Sequence, residues 1–285
     1  MKKVLMCLST DLQPSSFDII TGIDSGADFI LPYGSVSESN VKDIVYDCVF
    51  TRSKKDLKSI GIFIGGRDVQ LTESIGETIK GIFFDDLRVS VALDPMGAYT
   101  TATATVLKIK KALHRINGSN SVVLAGTGPI GQNIAVLLAK EGSNVSITSR
   151  KLEKAKSVCD LLEKKYSVDI KPSEVKNDSD TERIISNKDI VVSSGAIGIK
   201  LLSKYTWIDK NIKILADVNA VPPLGIGGIG PHDDFVEKYN KICFGAIAIG
   251  ELKMVIHRKI ISELFKSNNL FFGLLEIYKL SEKIT

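Results

Sequence analysis

Residues 124–151 read LAGTGPIGQNIAVLLAKEGSNVSITSRK. An apolar run ends in Gly126-Thr127-Gly128-Pro129-Ile130-Gly131, and a helix-patterned stretch over 132–140 follows. The spacing G-x-G-x-x-G is informative here because a strand precedes it and a helix follows it. Each glycine has a physical reason. Gly126 permits the tight turn, Gly128 lets bare backbone approach a diphosphate, and Gly131 lets helix and strand pack closely. The free N–H groups and dipole of the helix N-terminus then face the phosphates. A plain glycine-rich turn is the competing reading, and the strand-loop-helix context places a dinucleotide ahead of it.

The next strand, over 144–148, indicates which dinucleotide. A strand that serves NAD commonly ends in Asp or Glu, whose carboxylate binds the ribose 2′-hydroxyl. This one ends Thr148-Ser149-Arg150-Lys151, without an acid. One hydroxyl and two cations suit a 2′-phosphate, which Arg can grip with two hydrogen bonds. The expected cofactor is NADP, with NAD as a weaker alternative. Solvated cations at the start of a helix are the bland reading, although cations there are slightly unfavourable.

Outward from this loop, short apolar runs alternate with amphipathic stretches. KKVLMCL, ADFILPY, SIGIFIGG and VSVAL read as strands; VKDIVYDCVF, TESIGETIKGIFF and TTATATVLKIKKALHRI read as helices. DIVVSSGAIG and IKILADVNA are later strands ending in small or polar clusters. The fold class expected is α/β: an N-terminal α/β domain (1–105), a Rossmann-type doubly wound parallel-sheet domain (106–251), and C-terminal helices (252–285) that return to the first domain. Ser194, Gly195, Ala196 and Ile197, with Asp217 and Asn219, follow strand ends where a nicotinamide would lie, so they join the candidate cofactor residues. The loop AVPPLGIGG is rigid and then flexible, which suits a site wall.

Bulk properties exclude other classes. The 285 residues are 44% apolar, and 37 basic against 33 acidic residues leave a net charge of +4. The charges are scattered, so nucleic acid is not an expected partner. Cys7, Cys48, Cys159 and Cys243 form no CxxC pair and read as reduced thiols. The apolar run Val4 to Leu8 is too short for a signal peptide, and no run reaches membrane-helix length. A soluble cytoplasmic protein with no membrane partner is expected. His114, His232 and His257 lack metal-like spacing, so no metal is expected. Lys253 and His257, at i and i+4, share one face of a helix.

GTGPIGQNIAVLLAKEG, SRKLEKA, GAIGIKLL, ADVNAVPPLGIGGI and FGAIAIGELKMVIHR, together with TDLQPSSFDIITGIDSGADFI, YGSVSESNV, FIGGRD and LDPMGAYTTATA, span nearly the whole chain. In these stretches it resembles the methylene-tetrahydromethanopterin dehydrogenases of methylotrophic bacteria. The resemblance implies a homo-oligomeric two-domain enzyme of one-carbon metabolism. Its cleft takes a small-molecule tetrahydropterin, and hydride passes from the methylene bridge to NADP, giving the methenyl form. Methylene-tetrahydrofolate is a second implied substrate. By motif position, Phe17, Asp18, Thr100 and Thr101 are candidate substrate contacts, and Lys253 and Asp94 candidate catalytic groups. Core packing for Phe17, a helix cap for Asp94 and a surface position for Lys253 compete with these roles. Met96 and Tyr99 stand where the family pattern carries Asn. An NADP oxidoreductase on a shikimate-like substrate is the alternative enzyme; it would use a Lys–Asp pair, and Lys54, Lys55 and Asp56 read as a solvated turn. A non-catalytic NADP sensor is the alternative outside enzymes.

Overall fold

VLMCLS, the strand β1 (Val4–Ser9), is buried along nearly its whole length, as a parallel strand covered on both faces must be. The computed structural model describes residues 1–284. Two units form, one from Met1–Thr100 with Met254–Ile284 and the other from Thr101–Lys253.

In the first unit, β1 is followed by α1 (Ser16–Asp24), β2 (Phe29–Tyr33), α2 (Val41–Val49), β3 (Ile60–Gly65), α3 (Val69–Ile82) and β4 (Ser90–Leu93). Helix starts are set by side-chain caps: Ser15 accepts the Phe17 N–H, and Asp68 accepts the Leu71 N–H at 2.9 Å. A short 3-10 turn (Pro95–Gly97) leads into α4 (Ala98–Leu113), within which the unit boundary falls.

The second unit continues with β5 (Asn120–Leu124), α5 (Pro129–Lys140), β6 (Asn144–Ser149), α6 (Leu152–Tyr166), β7 (Ile170–Glu174), α7 (Asp178–Ile185), β8 (Ile190–Ser193), α8 (Lys204–Trp207), β9 (Ile214–Asp217), β10 (Val236–Lys238) and β11 (Lys241–Phe244). The chain then enters α9 (Ala246–Leu264), β12 (Phe271–Phe272) and α10 (Leu274–Ser281). Helix α9 begins at Ala246, before the expected residue 252. None of the described helices is long and apolar enough to cross a membrane.

The sheet of the first unit runs β2-β1-β3-β4-β12, all parallel. Its last strand, β12, comes from the C-terminal segment and pairs with β4. Leu264 of α9 lies so close to β3 that a Cβ on Gly61 would come within 2.8 Å of it. The sheet of the second unit runs β7-β6-β5-β8-β9-β11, with β10 antiparallel at the edge. This is the 3-2-1-4-5-6 order of the dinucleotide fold, whose strand order reverses between β5 and β8. Val122, Leu124, Val191, Leu215 and a fully buried Trp207 form its core.

All four cysteines are buried. Burial pushes the Cys7 thiol up to about 12, helped by the Asp18 charge, and burial likewise pushes Cys48 up to about 12. Both stay protonated at pH 8, so a thiolate-specific reagent is expected to leave them unmodified in the native protein. Labelling after denaturation should reach all four; fast native labelling of Cys7 or Cys48 would contradict this packing. Because the folded values exceed the unfolded ones, these thiols cost stability as pH rises above about 8.5.

Candidate functional site

At the carboxyl end of β5 the chain turns sharply. Ala125 takes a left-handed φ of 51°, and its N–H donates to Thr148 Oγ1 at 2.9 Å, tying the turn to β6. Gly126 and Gly131 are required by close approach. A Cβ on Gly131 would lie 2.4 Å from Ser194 Oγ and 2.7 Å from Gly126 Cα. A Cβ on Gly128 would meet nothing of the protein within 4 Å. Gly128 is also the N-cap of α5, without a side-chain cap, and Pro129 occupies the first turn. Bare backbone and uncapped N–H groups thus face open space, and these residues fit a dinucleotide diphosphate. The Gln132 side-chain amide donates to the Thr127 carbonyl at 2.7 Å and fixes the loop, and Ile130 is half-buried.

The loop after β8 is held to the same place. Ser194 donates to the Leu124 carbonyl through its N–H at 3.1 Å and its hydroxyl at 3.2 Å. Gly195 accommodates Leu201, whose Cδ1 would lie 2.8 Å from an added Cβ, and the Ala196 carbonyl accepts the Ile199 N–H. Ile197 is 73% exposed at the loop tip, an apolar side chain at the strand switch point.

At the carboxyl end of β6, Ser149 Oγ accepts the Lys151 N–H at 3.3 Å. Arg150 and Lys151 are exposed, and Lys151 is the N-cap residue of α6. The nearest strand-end acid escaped the sequence reading. Glu174 ends β7 directly beside Ser149 in the parallel register. That pairing joins residues 25 positions apart (174 − 149) and has no local signal.

Asp217 ends β9, and Asn219 follows two residues later. Asp217 is 1% exposed. Its carboxylate accepts the N–H groups of Asn219 at 3.1 Å and Ile226 at 2.9 Å. Burial raises its pKa, and the N–H groups of Ile226 and Asn219 oppose the rise. Gly225 closes over it: a Cβ there would sit 2.7 Å from the carboxylate and 2.0 Å from Ser193 Oγ. Asn219, also buried, accepts the Val221 N–H at 3.1 Å. Both side chains hydrogen-bond the backbone of residues 217–226 and so hold this loop in shape.

In the first unit the strand order reverses between β1 and β3, and a second cluster lies at that end of the sheet. Asp18 Oδ2 lies 3.0 Å from the position of a Cβ on Gly65, the last residue of β3. His257, fully buried, stacks on Phe63 with ring centroids 5.0 Å apart and meets Phe17 at 5.6 Å. Its Nε2 is 3.9 Å from Asp18 Oδ1. Phe17 is 42% exposed, which sets aside the reading of it as an ordinary core residue. Phe17, Asp18 and His257 therefore form one group, and sequence spacing had joined His257 only to Lys253.

Asp94 and Thr100 are brought together with each other. Asp94 is 3% exposed and accepts the Tyr99 N–H at 2.9 Å, the Thr100 N–H at 3.2 Å and the Thr100 hydroxyl at 2.6 Å. This is the helix-cap reading of Asp94, and it commits the Thr100 hydroxyl as well. Thr101 and Lys253, both half-buried, lie in α4 and α9 on the other side of the unit boundary.

Met96 and Tyr99 also have physical accounts. Tyr99 is buried, and its hydroxyl donates to Glu73. Met96 is exposed at φ 55°, ψ 17°, a left-handed conformation that Asn tolerates better than Met. Met96→Asn is expected to raise stability by about 0.5–1 kcal/mol, read as a small rise in Tm, because no buried contact is lost. A fall in Tm would show that the thioether contributes packing not visible in its exposure.

Residues 16–96 match a family model described as methylene-tetrahydromethanopterin dehydrogenase, N-terminal. Residues 122–197 match one described as saccharopine dehydrogenase NADP binding domain. The bifunctional protein MdtA of Methylorubrum extorquens is 42% identical, covering 99% of both chains. The NAD(P)-dependent methylenetetrahydromethanopterin dehydrogenase of the same organism is 26% identical, again over 99% of both. Among solved structures, the ligand-free 5-ketofructose reductase of Gluconobacter sp. strain CHM43 superposes with a TM-score of 0.53, covering 100% of this chain and 99% of that one. At 14% identity, that likeness concerns the fold alone.

Proposed function

Because the chain belongs to the methylene-tetrahydromethanopterin dehydrogenase family, we propose that it oxidises a methylene-tetrahydropterin to the methenyl form by direct hydride transfer to NADP. It is an oxidoreductase, and NADP is its cofactor. The observation that carries the proposal is the whole-length relationship joined to a strand end, Ser149-Arg150-Lys151, that bears cations and no acid.

NADP supplies the hydride acceptor, and the chain supplies binding and alignment. The loop Gly126 to Gly131 and the first turn of α5 hold the diphosphate. Ser149, Arg150 and Lys151 hold the 2′-phosphate. Ser194, Gly195, Ala196 and Ile197 line the nicotinamide end, on a wall that Asp217 and Asn219 keep folded. On the substrate side, Phe17 offers an exposed aromatic surface to a pterin ring. Lys253 and Thr101 are further polar candidates on α9 and α4.

The methylene carbon lies between two nitrogens whose lone pairs expel the hydride and leave a delocalised cation. No nucleophile or strong base is required, so orientation and water exclusion carry the catalysis. A nearby carboxylate stabilises the developing cation. Asp18 fits that task better than Asp94, whose oxygens are taken by the start of α4.

The test is absorbance of purified protein with NADP and, in turn, methylene-tetrahydromethanopterin and methylene-tetrahydrofolate. Methenyl formation with concomitant NADPH supports the proposal, and the faster pterin identifies the preferred substrate. No turnover with either pterin, alongside intact NADP binding by calorimetry, overturns it.

A further inference from the structure

Glu174 and Lys176 belong to no role assigned so far. Glu174 ends the edge strand β7, in register beside Ser149 on β6. Neighbouring strands lie about 4.8 Å apart, so its carboxylate neighbours the Ser149-Arg150-Lys151 turn. One oxygen, Oε1, accepts the Leu152 N–H at 3.3 Å, in the first turn of α6. The other, Oε2, holds the Lys176 ammonium at 2.8 Å. The Lys176 contact leads in keeping this carboxyl below the usual carboxylate range, so it is ionised at neutral pH. A negative charge thus occupies a helix N-terminus that would otherwise favour a phosphate, and it detains a cation that could serve one.

We propose that Glu174 limits the preference for NADP over NAD, acting as a counter-charge beside the 2′-phosphate residues and detaining Lys176 away from that phosphate. The inference rests on the reading of Ser149, Arg150 and Lys151 as the 2′-phosphate site. Repulsion between one carboxylate and a phosphate across a solvated gap is modest, and salt screens it. Its removal acts on NADP and leaves NAD, which lacks the 2′-phosphate, nearly unaffected.

The experiment is isothermal titration calorimetry of the full chain with NADP and with NAD, at low and high salt. Wild type is compared with Glu174→Gln and with Lys176→Gln. The Gln side chain keeps an acceptor for the Leu152 N–H, so the start of α6 is preserved. For Glu174→Gln the NADP dissociation constant is expected to fall about three- to tenfold at low salt, with less than a twofold change for NAD. High salt should compress the difference. Lys176→Gln leaves Glu174 unbalanced and should shift the NADP/NAD ratio the opposite way. An unchanged ratio in both variants overturns the inference while wild type still prefers NADP. Equal weakening of both nucleotides by Glu174→Gln also overturns it, because that marks a purely structural contact. If wild type binds NADP no more tightly than NAD, the 2′-phosphate reading itself fails and this inference falls with it.

Discussion

Replacing Arg150 and Lys151 together by alanine is expected to weaken NADP binding by about 30- to 150-fold while changing NAD binding less than about threefold. Each cation makes a charge-assisted contact to a phosphate, worth about 1.5–3 kcal/mol when well placed. Both side chains are exposed, which discounts the pair to about 2–3 kcal/mol in total, and 1.4 kcal/mol corresponds to tenfold. The fold should not suffer. Cations at a helix N-terminus are mildly unfavourable, so the start of α6 is left no less stable. Calorimetry with both nucleotides checks the expectation. An equal loss for NADP and NAD would mean that the two residues serve the fold of the turn rather than the 2′-phosphate.

A second large effect is expected at Asp217. Asp217→Ala removes the acceptor for the N–H groups of Asn219 and Ile226 and opens a hole beneath Gly225. Each buried donor left unsatisfied costs about 1–3 kcal/mol. The expected loss is about 3 kcal/mol, or roughly 6–12 °C in the melting of this unit, and turnover should collapse because the wall formed by residues 217–226 loses its shape. Asp217→Asn should be far milder. It keeps one acceptor oxygen, and it removes a buried charge whose pKa burial already raises. The wild-type carboxyl contributes its own pH dependence. Its folded pKa lies above the unfolded one, so stability falls as pH rises from about 4 through the folded value and is level beyond it. Thermal melts of the two variants across that range, with activity alongside, check both points. Equal Tm for Asp217→Ala and wild type would contradict the account.

The dinucleotide unit was legible because its signals are local. The apolar run, the glycines at fixed spacing, the helix after them and the acid-free strand end lie within 30 consecutive residues, 122–151. Other features depend on what lies across space. Glu174 neighbours Ser149 only through strand pairing. Asp94 and Asp217 look like available carboxylates in sequence, and only the structure shows that both are buried and accept backbone N–H groups. His257 reads as one member of a helix face with Lys253, yet its ring stacks on Phe63, from a strand nearly two hundred residues earlier. The two-residue strand β12 is too short for any periodicity to reveal.

Direct transfer of hydride is the central claim, and an isotope label tests it most directly. The substrate is prepared with deuterium on the methylene bridge and turned over once with NADP in ordinary water. The account predicts that the reduced nucleotide carries the deuterium, seen by mass spectrometry, at the nicotinamide ring. Deuterium appearing in water, with unlabelled NADPH, would contradict it, because a proton relay would then stand between the pterin and the nucleotide.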